Sequence, residues 1–302
     1  MSMPFYVSPE QSMRDKADYA RKGVARSRSS VVLQYAGGIL MVTPNISSVL
    51  HKISEIYDRI AFAAVGRYNE YEVLRKAGVT YADVTGYQFD RGDVTARGLA
   101  NWYAQALGTN FSEPTGKPYE VEIVVAEVGA KPDGDQIYRI SWDGSVSDEP
   151  GFVAFGGQAD QVTTALKERF SDGMSLTEAL AAALAALAAP AAGAAGQPQN
   201  GAQPELTAAN LEVAILDRAR AHRTFRRLQG PRLEQLISET RGGAAGTAAT
   251  QTTADEPADT GAAGPAPEPP AASPAPSSKP APSSGEPPTG PSAPGGDGSP
   301  RL

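Results

Sequence analysis

From Gly242 to Leu302 the chain is built almost wholly of Ala, Pro, Gly, Ser, Thr, Asp and Glu, with no large apolar residue before Leu302. Such a segment cannot bury enough apolar surface to offset the entropy lost on ordering it, so residues 242–302 are expected to be a disordered tail. The break leaves residues 1–241 as the part able to fold, a length suited to one domain with a substantial core. Within it, residues 189–206 are mostly Ala, Gly, Gln and Pro and are expected to form a flexible insertion.

The apolar pattern of residues 1–241 segregates into runs. Ser8-Pro9-Glu10 opens a helix over 9–22: Ser8 can cap, Pro9 suits the first helical position and Glu10 meets the positive end of the dipole. Met13, Ala17 and Ala20 share one face of that helix. Four strands follow at 30–35, 39–43, 52–57 and 60–65, the first two joined at Ala36-Gly37-Gly38. Helices are predicted at 68–77, ending before Gly78, and at 94–111, where Leu99, Tyr103, Ala106 and Leu107 form a stripe. Strands return at 119–128, 136–142 and 152–155, then helices at 159–170 and 176–188, the latter capped by Ser175 with Glu178 three residues on. A strand at 211–216 and a helix at 232–237 close the domain. Blocks of strands alternating with helix pairs predict an α+β fold of stacked sheets with helices outside.

Composition narrows the chemistry. There is no cysteine, which excludes disulfides, thiolate metal sites and a cysteine nucleophile. The two histidines, His51 and His222, sit in no zinc or catalytic-triad motif and are expected to be exposed or hydrogen-bonded side chains. No metal and no cofactor is expected. The N-terminal residues lack the apolar core of a signal peptide, and no apolar run reaches the roughly twenty residues of a membrane span. A cytoplasmic protein is expected. A net charge of −7 argues against nucleic acid as a partner, although Arg21, Lys22, Arg26 and Arg28, and again Arg218, Arg220, Arg223, Arg226 and Arg227, form two basic clusters. With only Phe225 interleaved, these read as solvated edges or inter-subunit salt bridges.

Three segments in order carry a family likeness: residues 8–23 (SPEQSMRDKADYARKG), 52–66 (KISEIYDRIAFAAVG), and 100–108 (ANWYAQALG) with 118–128 (PYEVEIVVAEV). Together they resemble the proteasome α-subunit family, over about residues 1–237. Residues 211–230 (LEVAILDRARAHRTFRRLQG) and the tail resemble the actinobacterial branch. The likeness implies a four-layer αββα sandwich of the N-terminal nucleophile hydrolase type, preceded by an N-terminal helix.

It also implies a division of labour. In catalytic relatives a terminal Thr exposed by cleavage attacks the peptide, its α-amino group serves as base, and a Lys and an Asp tune proton transfer. Here the Thr position falls near Arg28, in Ala25-Arg26-Ser27-Arg28-Ser29-Ser30, and the acid position near Pro44. Only the lysine, Lys52, remains, so no catalytic residue is expected. The alternative is an active hydrolase matured at Ser27, Ser29 or Ser30.

By the same likeness Lys52, assisted by Arg26, pairs with the C-terminal carboxylate of a docked ring-shaped ATPase. Residues 1–8 form a gate over the pore through Met3, Phe5, Tyr6 and Val7, which turns at Pro9. The Tyr-Asp-Arg that archaeal and eukaryotic relatives carry upstream of the proline is missing, and Tyr57-Asp58-Arg59 falls in a turn between strands. Implied partners are further copies in a seven-membered ring, a proteasome β-type subunit, the ATPase, and unfolded, protein-tagged substrates.

Overall fold

The computed structural model describes residues 8–192 and 206–248. Helix α1 (Pro9–Ala25) leads, followed by β1 (Ser30–Tyr35), β2 (Gly38–Pro44), β3 (Ile53–Tyr57), β4 (Ile60–Gly66), α2 (Tyr68–Gln88), α3 (Ala96–Ser112), β5 (Val121–Glu127), β6 (Gln136–Ile140), β7 (Val146–Asp148) and β8 (Phe152–Phe155). Then come α4 (Ala159–Lys167), α5 (Leu176–Ala192), β9 (Leu211–Asp217), β10 (Phe225–Leu228) and α6 (Pro231–Ala248). Two antiparallel five-stranded sheets result, ordered β10-β9-β2-β1-β8 and β3-β4-β5-β6-β7.

Side chains alternate across each strand, and here both faces are covered. Val31 and Leu33 of β1 face α4 and α5, while Val32 turns to the other sheet. Phe62 and Ala64 of β4 pack under α2 and α3, while Ala61, Ala63 and Val65 meet Ile39, Met41 and Leu216 between the sheets. Three apolar layers separate four structural layers, which is the expected αββα sandwich. Double burial explains why the central strands read as unbroken apolar runs rather than alternating ones.

The N-terminal helix starts as its sequence predicts. Ser8 Oγ accepts from the Gln11 amide at 3.2 Å and Pro9 occupies the first helical position. It continues three residues beyond Lys22, and its buried face is Ala20 and Val24, whereas Met13 is exposed. The helix crosses β4 and β5 so closely that a Cβ on Gly23 would lie 2.3 Å from the Glu120 carboxylate.

Elsewhere three expectations are corrected. Gly78 does not end a helix: α2 runs through it to Gln88, because Gly78 is where α2 passes the hydroxyl of Tyr103 on α3. Strands β7 and β10 were hidden, the first by its polar composition (VSD) and the second inside a basic cluster (FRRL). The last helix extends from Pro231 to Ala248, past the start of the expected tail at Gly242. Residues 1–7, most of the expected insertion and the rest of the expected tail lie outside the described residues.

Candidate functional site

Residues 26–29 link α1 to β1, and the loop 45–52 links β2 to β3; the two lie at the same end of the sandwich. Lys52 is half-buried immediately before β3, and its Nζ donates to the Pro44 carbonyl at the end of β2, at 3.3 Å. Pro44 in turn lines a cavity of about 260 Å³ with Arg26, Ser27, Arg28, Ser29 and Gln158. Burial lowers the Lys52 ammonium from 10.5 to about 8; Glu212 opposes that shift and Arg28 adds to it. Among the described residues neither Lys52 nor Arg26 nor Arg28 is in an ion pair; the two arginines line the cavity, and Lys52 meets it only through the Pro44 carbonyl.

The order comes from the sheets. Pairing of β2 with β9 runs from Gly38↔Asp217 to Pro44↔Leu211 and brings Glu212 beside the start of β3. Glu212 accepts from the backbone amides of Lys52 at 2.9 Å and Ile53 at 3.1 Å, and from Asn45 Nδ2 at 2.8 Å. Arg227 of β10 donates to the same carboxylate and, through Nη2, to the Ile53 carbonyl at 2.7 Å. Neither Glu212 nor Arg28 stood out beforehand as a pocket residue. The signal for Glu212 was a lone charge inside the apolar run LEVAIL.

The three serines near β1 each have an internal partner. Ser27 Oγ donates to the Val24 carbonyl at 2.6 Å, Ser29 Oγ accepts from the Gln158 amide at 3.0 Å, and Ser30 Oγ donates to Thr43 Oγ1 at 2.7 Å. Ser29 and Ser30 are buried.

Sequence comparison then decides the family. The family model for the proteasome subunit matches residues 24–200. The proteasome subunit alpha of Thermobifida fusca (strain YX) is 62% identical over 239 residues, covering 79% of this chain and 92% of that protein. The proteasome subunit alpha of Thermomonospora curvata is 64% identical over 239 residues, 79% of this chain and 99% of that protein. That of Streptosporangium roseum is 61% identical over 259 residues, 85% and 95%.

The chain belongs to the proteasome α-subunit family.

Against that assignment the sites expected from sequence divide cleanly. Lys52 meets the Pro44 carbonyl, and Arg26 and Arg28 line the cavity that Pro44 also lines. Pro9 stands at the first helical position of α1, whereas Met3, Phe5, Tyr6 and Val7 lie outside the described residues. Of Tyr57-Asp58-Arg59, Tyr57 ends β3 and the other two form the β3–β4 turn, with Asp58 held by Arg91 at 2.9 Å.

Four arginines of the second basic cluster pair within the chain, while Arg220 and Arg223 stand exposed, as expected of a solvated edge. Arg218 pairs with Asp135 at 2.7 Å, Arg223 with Glu55 at 2.9 Å and Arg226 with Asp217 at 3.1 Å, and Arg227 with Glu212. Of the histidines, His51 Nδ1 lies 3.4 Å from Glu212, and His222 is exposed near Asp58. No helix among the described residues is long and apolar enough to cross a membrane.

Proposed function

We propose that this chain is a scaffold and gating subunit of a cytoplasmic proteasome core particle, without peptidase activity of its own. Seven copies form an outer ring on a ring of β-type subunits, residues 1–8 close the pore, and a ring-shaped ATPase docks its C-terminal carboxylate at Lys52 to admit unfolded, tagged proteins.

The observation that supports the docking role is the state of Lys52. A half-buried ammonium that rests on a backbone carbonyl, beside a cavity lined by two unpaired arginines, is matched to an incoming carboxylate. A charge-assisted bond to it gains from the partial exclusion of water. Against self-contained hydrolysis stand the environment and the sequence around β1. The position that a catalytic subunit gives to its nucleophile falls near Arg28, and Ser27, Ser29 and Ser30 around it are held by internal hydrogen bonds. At the acid's position stands Pro44, whose carbonyl, not a carboxylate, meets the lysine.

The test is native mass and peptidase activity of this chain alone and after co-expression with a β-type partner. An inert chain that yields activity only in a large mixed particle is expected. Peptide cleavage by the chain alone, after loss of its N-terminal segment, overturns the proposal.

A further inference from the structure

Glu212 is the most heavily engaged buried carboxylate near the site. Its side chain is 5% exposed. It sits on β9, in one sheet, yet two of its donors come from the start of β3 in the other: the amides of Lys52 and Ile53 at 2.9 and 3.1 Å. Asn45 Nδ2 donates to it at 2.8 Å and also to the Leu50 carbonyl at 2.8 Å, so the same carboxylate grips both ends of the loop 45–52. Arg227 completes the set, and His51 Nδ1 stands 3.4 Å away.

Joining the two sheets does not call for such an arrangement. Ile53, Ala214 and Leu216 already meet in the apolar layer between them, and a buried ion pair adds little stability over an apolar replacement. What the carboxylate does specifically is immobilise the backbone that carries the half-buried Lys52 ammonium. We propose that Glu212 is the positioning residue of this site, holding the Lys52–Ile53 backbone and the loop from Asn45 in the one arrangement that presents the ammonium to a carboxylate-bearing partner. The inference rests on the reading of Lys52 as the docking cation.

Charge acts in the same direction. The charged groups facing Lys52 are Glu212, which favours its protonated form, and Arg28, which opposes it together with burial. Around Glu212 the charged or titratable neighbours are Arg227, His51, Lys52 and, on α2, Tyr71. Neutralising Glu212 leaves Lys52 with burial and Arg28 alone, both of which favour the uncharged amine.

The experiment uses assembled core particles and a peptide copying the C-terminal residues of the ring ATPase, as the free acid and as the C-terminal amide, with affinity followed across pH. Glu212→Gln is expected to weaken the free acid about tenfold at neutral pH, the size of one lost charge-assisted contact, and to move the pH at which binding fades to a lower value. Asp135→Asn removes a different buried carboxylate, paired with Arg218, and is expected to change neither. Wild-type affinity and an unmoved pH profile in Glu212→Gln overturn the inference while Lys52→Ala still abolishes binding. If Lys52→Ala also binds normally, it is the docking role of Lys52 that fails. Should Glu212→Gln not form rings, Asn45→Ala decides: it cuts the tie to the loop but keeps the charge, so weaker binding with an unmoved pH profile is expected, and unchanged affinity overturns the positioning role.

Discussion

The Lys52 ammonium rests on the carbonyl of Pro44, 3.3 Å away, and on no carboxylate among the described residues. A neutral carbonyl leaves the charge of Lys52 open to a partner. A charge-assisted hydrogen bond contributes about 1.5–3 kcal/mol, so Lys52→Ala is expected to lower the affinity of an activator's C-terminal peptide by about tenfold or more. The check is activator-stimulated protein degradation divided by unstimulated peptide hydrolysis in the same particle. An unchanged ratio places the docking cation elsewhere, with Arg26 and Arg28 next to be replaced.

The same residue sets a pH window. Burial lowers Lys52 from 10.5 to about 8, so its charged form is complete below that value and is lost as pH rises through it. Binding of the free-acid peptide is therefore expected to be strong at neutral pH and to fade above about 8, well before an ordinary lysine loses its proton. Fluorescence anisotropy across that range measures it. A flat profile up to the ordinary lysine range contradicts the desolvated environment.

Gly78 is a packing residue. A Cβ there would stand 1.8 Å from the Tyr103 hydroxyl and 2.6 Å from its ring carbon Cζ, while Tyr103 is fully buried and donates to the Leu74 carbonyl at 3.2 Å. Gly→Ala in a helix interior ordinarily stabilises by about 1 kcal/mol. Here overpacking of about 1–3 kcal/mol opposes it, and Gly78→Ala is expected to lower the melting temperature. Removing the hydroxyl in Gly78→Ala/Tyr103→Phe is expected to restore part of the loss. A single variant that melts higher than wild type rules out the close contact.

Ser30 tests the rival reading of β1 as the start of a matured enzyme. Its hydroxyl is buried against Thr43, so Ser30→Ala leaves a buried polar group unpaired and is expected to cost about 1–3 kcal/mol of stability. Peptidase activity of the mixed particle is expected to persist. Intact-mass spectrometry is expected to find the α-type chain uncut between Arg26 and Ser30. Loss of activity with stability retained, or a mass lacking the N-terminal residues, favours the hydrolase.

The main outline was legible because local physics dictates it. Runs such as ILMVT and IAFAAV can be satisfied only by burial on both faces, which requires helices outside a pair of sheets. Ser8, Pro9 and Glu10 announce α1, and Ser175 with Glu178 announces α5, through hydrogen bonds made within one turn. Strand β10 escaped because FRRL is polar in isolation; its arginines become strand residues only once they lie opposite Ile215 and Ala214 on β9 and pair diagonally with Asp217 and Glu212.

What the sequence determined by itself about this protein is the four-layer class, the absence of cysteine chemistry and, through its family likeness, the choice of Lys52. The stacked α+β layering and the lack of cysteine follow from composition and periodicity, whereas the four-layer class and Lys52 are what the likeness implies. The tertiary structure decided the rest: that Gly78 is a contact and not a stop, that Arg28 joins Arg26 at Pro44, and that Glu212 holds the backbone of Lys52 from 160 positions away. Such relations depend on the register between β2 and β9 and on how closely helices and sheets approach, and no local pattern encodes the distance between residues that only the folded core brings together.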